Sequence, residues 1–164
     1  LGFESQYKWL NIPLTNSVAD YTIKVLNFLN TTSEYTRREL IATDIKEGIL
    51  SYTHANLILH QNRKVLFIAD ACNGLEMQAL YLGFILAIPG QWKRKLFFAV
   101  IGPFLIFYVN VARCAGLVEL RIFYPFHFDF AHHYLFKIIV YSFIFLLWYL
   151  FVQNINPIAR IEKK

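Results

Sequence analysis

The chain has 164 residues, 57% of them hydrophobic, 18% aromatic and only 16% charged. Soluble domains carry about a quarter charged residues and less apolar content, and a mean hydropathy of +0.41 also points away from an ordinary water-soluble globule. A net charge of +5 suits nucleic acid, but Lys93, Arg94 and Lys95 lie between two apolar runs, and Arg160, Lys163 and Lys164 follow a third. That placement marks cytoplasmic loops of membrane proteins, whereas a nucleic-acid surface gathers cations on one face with aromatic platforms. The expected surroundings are a lipid bilayer, with no nucleic-acid partner.

In chain order, residues 14–29 place Leu14, Val18, Tyr21, Val25, Leu26 and Leu29 at helical spacing, with Asp20, Lys24 and Asn27 opposite. This predicts an amphipathic helix, capped by Thr15 or Asn16 and too polar to span a membrane. Residues 30–47 are polar and charged and read as a solvated connection. Residues 49–60 and 64–70 are β-rich around Gln61-Asn62-Arg63, predicting a hairpin that ends just before Cys72. Apolar runs follow at about 74–90, 96–113 and 133–152, the second with a kink expected at Pro103. Each covers about 25–30 Å as helix, enough to cross the hydrocarbon core. The chain opens at Leu1 without a basic-then-apolar leader, which leaves room for an upstream piece carrying a further span.

The expected fold is therefore a membrane all-α helical bundle with at least three transmembrane helices, an N-terminal amphipathic helix and a small extracytoplasmic β-hairpin. Keeping residues 91–95 and the basic tail in the cytoplasm fixes the direction of each span. Cys72, before the first span, then shares the outer membrane level with Arg113, at the end of the second, and with His132 and His133, at the start of the third.

Such a trio has definite chemistry. A helix N-terminus and nearby cations lower a thiol pKa and favour the nucleophilic thiolate. Cys72 sits at a predicted helix start, where Asn73 and Gly74 permit close approach of a substrate backbone. A histidine can take the thiol proton and return it to a leaving amine. An arginine stays charged and can hold an oxyanion. Together they support acyl transfer through a thioester. Taken singly, each residue has a plainer role: a small packing cysteine, an arginine at a helix end, an interfacial histidine.

The order of motifs resembles the exosortase/archaeosortase family. Asp70-Ala71-Cys72-Asn73-Gly74-Leu75 resembles its turn opening a membrane helix, Asn110-Val111-Ala112-Arg113 its Asn-x-x-Arg, and His132 with Phe136 its histidine opening a span. The resemblance covers about residues 48–152, and the tyrosine and tryptophan content of the final helix resembles that of the short exosortase-like proteins of Bacteroidetes. It implies a sortase-analogous cysteine enzyme with Cys72 as nucleophile, Arg113 as transition-state stabiliser and His132 as acid/base. His133 is the alternative histidine, while Asn110, Asp70, Asn73 and Gly74 are supporting positions. No metal or other cofactor is implied. The implied substrates are exported proteins carrying a C-terminal tail of short motif, membrane helix and basic cluster, and the implied location is the bacterial inner membrane, multi-pass, with the site on the extracytoplasmic side. The single domain then divides into an extramembrane helix and hairpin at 1–70, a transmembrane catalytic part at 71–153 and a cytoplasmic basic tail at 154–164.

Other features stay open. Asn110 lies on the same helix face as Arg113, and Glu76 could pair with that arginine. Cys114 could bridge to Cys72 in an oxidising compartment. Competing functions are a non-catalytic membrane assembly protein and a membrane metal or haem binder using His127, His132 and His133 near Cys114. The spacing matches no zinc motif.

Overall fold

A computed structural model describes residues 3–30, 34–46, 49–69 and 73–153. Asp70, Cys72 and the basic tail at 154–164 lie outside these described residues. The chain is mostly helical, with one three-stranded sheet.

Helix α1 runs Phe3–Leu29. Its buried stripe is Thr15, Val18, Ala19, Thr22 and Leu26, while Tyr21, Val25 and Leu29 are exposed. The buried face is thus rotated from the expected one toward Thr15, Ala19 and Thr22. Thr22 donates its hydroxyl to Val18 O at 2.7 Å and Thr15 to Asn11 O at 2.8 Å. With its hydroxyl satisfied on its own helix, threonine packs inward as a small side chain.

Strand β1 (Tyr35–Lys46) occupies the segment expected to be a solvated connection. It pairs antiparallel with β2 (Ile49–His60) along its whole length, from Tyr35↔His60 to Lys46↔Ile49. The hairpin therefore becomes a three-stranded sheet in the order β1-β2-β3, with β3 at Arg63–Ala69. The charges of β1 hid the strand, because Arg37 is taken up locally. Its Nε meets Asp20 Oδ1 at 2.7 Å, and its NH1 donates to Asn56 Oδ1 at 3.1 Å. The expected β2–β3 hairpin forms: Gln61 and Asn62 both take positive φ, 49° and 64°, as a two-residue hairpin turn requires.

Helix α2 (Leu75–Ala87) is followed by α3 (Trp92–Phe123), which contains Pro103. A 3₁₀ turn (Pro125–His127), the short α4 (Phe128–Phe130) and a π-helical turn (Ala131–Leu135) then lead into α5 (Phe136–Val152). Among the described residues two helical stretches, Trp92–Phe123 and Pro125–Val152, are long and apolar enough to cross a membrane. With 13 residues, α2 covers about 20 Å, less than the hydrocarbon core of about 30 Å. The first of the three expected spans is thus a shorter helix than its apolar run suggested.

Two hydrophobic clusters organise the chain. One joins Val18, Ala19 and Leu26 of α1, Tyr35, Ile58 and Ile68 of the sheet, and Val111, Cys114, Ala115 and Val118 of α3. The other joins Tyr81 and Ile85 of α2, Ile106 of α3, and Val140, Ile144, Leu147 and Phe151 of α5. Helix α3 runs through both. Its 32 residues extend about 48 Å, far past the expected end at residue 113, because its C-terminal half packs on the sheet module rather than facing lipid. Around the second cluster, Phe97, Phe104, Ile138, Phe145 and Leu146 are exposed, the arrangement a helix bundle presents to hydrocarbon.

The basic residues of α3 close one end of this bundle. Arg94 NH2 donates to Leu150 O at 2.6 Å and Lys95 Nζ to Leu86 O at 3.0 Å, so each cation meets the carbonyl end of a neighbouring helix. Closer to mid-helix, the Tyr81 ring lies against the α-carbon of Gly102 so tightly that no side chain fits there. Its hydroxyl donates to Phe98 O at 3.1 Å.

Candidate active site

Arg113 lies eighteen residues along α3 from Lys95, about 27 Å at helical rise, nearly the thickness of the hydrocarbon core. It stands where the two hydrophobic clusters meet: Val111 and Cys114 belong to the first and Ile106 to the second. Polar residues gather at this seam. Asn110 is 2% exposed, and its Oδ1 accepts from Arg113 NH1 at 3.5 Å. Among the described residues the buried Nε of Arg113 has no hydrogen-bond partner, an uncommon state for a buried donor.

The turn that follows Cys72 reaches the same seam. Gly74 takes φ 80° and ψ 8°, the left-handed region. A Cβ built on it would lie 3.4 Å from Asn110 Cγ and Nδ2. Asn73 is 2% exposed and turned toward α1. Its Nδ2 donates to Asn11 Oδ1 at 3.0 Å and to Thr15 Oγ1 at 3.2 Å, while its Oδ1 accepts from Leu75 N at 2.9 Å. Asn73 therefore takes up the first backbone N–H of α2 and binds α1 at once. Asp70 and Cys72, the expected supporting acid and nucleophile, lie outside the described residues, as does any bridge from Cys72 to Cys114.

Histidine comes to the seam through the π-helical turn, a distortion that often accompanies functional positions. Phe136, four residues after His132, packs its ring against Gly116, three residues after Arg113; a Cβ at 116 would lie 2.9 Å from Phe136 Cζ. The small residue thus lets the start of α5 press onto α3 near the arginine. Arg113, His133, Lys137 and Asp129 all lie within electrostatic reach of His132. Its ring stacks on Phe128 at 5.7 Å with 3° between the planes, and Phe128 in turn carries the Arg121 guanidinium at 4.7 Å. His133 is exposed, its Nδ1 3.0 Å from Asp129 O. Of the two histidines, His132 is half-buried and within electrostatic reach of Arg113, whereas His133 is exposed.

The structure thus brings Arg113, Asn110, Gly74 and His132 to one seam. Glu76 is exposed and forms no ion pair with Arg113 among the described residues. No group of three or more His, Cys, Asp or Glu side chains suited to a metal ion occurs among them either. Sequence reasoning missed Asn11 and took Thr15, or Asn16, for a helix cap, whereas α1 starts at Phe3; nothing local links Asn11 and Thr15 to a turn some sixty positions away. It also missed Gly116, whose signal is visible only once Phe136 is known to face it.

Two of the comparisons with known proteins are silent: no curated protein and no solved structure matches the chain. The third covers nearly all of it. The sequence profile described as Transmembrane exosortase (Exosortase_EpsH) matches residues 3–152, from α1 through the sheet to the end of α5. With the lipid-compatible helices and the seam that joins them to the sheet module, this match settles the assignment: the chain belongs to the transmembrane exosortase family.

Proposed function

We propose that the protein is a membrane-embedded cysteine transpeptidase or protease that processes the C-terminal sorting signals of exported proteins. Cys72 is its nucleophile, His132 its acid/base and Arg113 its oxyanion ligand. The observation that supports this reading most is Arg113: an arginine whose buried Nε has no partner among the described residues, steadied by Asn110 and within charge range of His132, beside the turn that continues from Cys72. A buried donor of this kind suits an oxygen that becomes charged only during reaction.

In this mechanism His132 takes the thiol proton of Cys72, and the sulfur attacks the carbonyl carbon of the scissile amide. The carbonyl electron pair moves onto oxygen, where Arg113 donates to it. Collapse of the intermediate breaks the C–N bond, and the protonated His132 returns its proton to the departing amine. The thioester left on Cys72 is released by attack of an amine or a water molecule, whose proton passes to His132.

The same reading makes α2, α3 and α5 three spans of the bacterial inner membrane, with the Arg94 end cytoplasmic and the Arg113 seam at the extracytoplasmic surface. The substrates are exported proteins whose tail combines a short recognition motif, a membrane helix and a basic cluster. Tail removal from such a protein in cells tests the function. It should stop in Cys72→Ala; processing at the wild-type rate in that variant contradicts the assignment.

A further inference from the structure

We infer that Asn11 and Thr15, on α1, are positioning residues for the nucleophile, acting through a three-bond clamp on Asn73. The inference rests on the reading of Cys72 as nucleophile.

The clamp uses the whole capacity of the Asn73 side chain. An amide offers two N–H donors and an accepting oxygen. One N–H goes to Asn11 Oδ1 at 3.0 Å, the other to Thr15 Oγ1 at 3.2 Å, and the oxygen receives Leu75 N–H at 2.9 Å. Thr15 can accept because its own proton goes back to Asn11 O at 2.8 Å. The hydroxyl is therefore oriented before Asn73 arrives. Thr15 and Asn73 are buried, at 0% and 2% exposure, so water does not compete for the bond between them, and losing it leaves an unpaired buried group.

Holding the first N–H of α2 needs only the oxygen of Asn73. The two donated bonds add nothing to α2 and instead tie the turn that leads into it to a helix about sixty positions earlier. The opposite side of the turn is braced by Gly74 against Asn110, whose helix carries Arg113. The turn is held between α1 and α3, and Cys72 is the residue that precedes Asn73 in the chain. Displacing a reacting group by about 1 Å costs on the order of 100-fold in rate, so slackening this tie should act on the chemical step.

The test uses the full-length protein in membranes or detergent with a tail-bearing substrate. Thr15→Val keeps shape and removes the acceptor, while Thr15→Ser keeps it. Asn11→Leu removes the other acceptor, while Asn11→Asp keeps it. The expected result is a kcat lower by about 10- to 100-fold in Thr15→Val and Asn11→Leu, KM little changed, and kcat near wild type in Thr15→Ser and Asn11→Asp. Amide hydrogen exchange at residues 73–77 should accelerate in the first pair only. Three results would overturn the clamp: unchanged kcat in Thr15→Val and Asn11→Leu, the conservative variants failing as badly as the disruptive ones, or exchange at 73–77 unaltered. Persistent cleavage in Cys72→Ala is a different failure. It would remove the nucleophile assignment while leaving the exchange measurement to judge whether α1 holds the turn.

Discussion

Gly74 rests on the side chain of Asn110, with the carboxamide 3.4 Å from where a Cβ would stand. Through this contact the turn leaving Cys72 touches the helix that carries Arg113. There is space for a methyl group at 74, since 3.4 Å is ordinary contact. The constraint is the backbone, held at φ 80°.

Gly74→Ala should therefore cost stability through conformation rather than collision, about 1–2 kcal/mol. Gly74→Asn, which tolerates the left-handed region better, should cost less. Thermal unfolding of the purified protein measures both. Equal losses in the two variants would point to crowding against Asn110 instead.

The two adjacent histidines should separate cleanly. His132→Gln should lower tail cleavage by about 10²- to 10⁴-fold, the usual contribution of a positioned acid/base. His133→Gln should change it by no more than a few-fold, because that ring is exposed and engaged with Asp129 O. Arg113→Lys keeps the charge but loses the planar fork. It should cost about 10²- to 10³-fold, in the range of a lost oxyanion donor. Relative cleavage rates in membranes give all three numbers.

The sheet module has its own pH response. Burial, reinforced by the carboxylate of Glu119, raises the Tyr35 phenol above its ordinary value of 10.0. Asn30 Nδ2 donates to the same Glu119 oxygen at 2.6 Å, and the phenol lies 3.4 Å from it. The folded state therefore holds the phenolic proton more tightly than the unfolded chain does. The stabilisation is complete below pH 10 and is lost as pH rises through the elevated value. Unfolding scans across alkaline pH should show a steeper decline in wild type than in Tyr35→Phe, with Glu119→Gln between them. Parallel curves for wild type and Tyr35→Phe would contradict this.

Sidedness can be read with single cysteines placed at exposed sites, in a background lacking Cys72 and Cys114. Trp92, 74% exposed, lies at the Arg94 end, and Phe126, 92% exposed, lies in the connection next to His132. A membrane-impermeant thiol reagent applied to spheroplasts should label Phe126→Cys. It should reach Trp92→Cys only after permeabilisation. The reverse pattern would put the seam in the cytoplasm.

Much of this arrangement was legible in the sequence, and the gaps have physical causes. The β2–β3 hairpin was visible because alternating apolar residues flank a turn whose Asn62 tolerates positive φ. Strand β1 was not, because Arg37 and Glu39 look solvated until Asp20 and Asn56 are known to stand beside them. The electrostatic reach of Arg113 to His132 was not legible, since the start of α5 meets α3 through Phe136 against Gly116 and through a π-helical turn that hydropathy does not encode. The helical spacing over 14–29 predicts part of α1 but not its buried face, because Thr15 and Thr22 pack inward with hydroxyls bonded to their own helix.

The most direct test is to trap the acyl-enzyme. Full-length protein carrying Cys114→Ala, incubated with a tail-bearing substrate and quenched in acid, should yield a hydroxylamine-labile adduct on the peptide containing Cys72. Cys72→Ala should yield none and should leave the tail uncleaved. Tail removal that proceeds with Cys72 absent, or an adduct carried by another residue, would contradict the account.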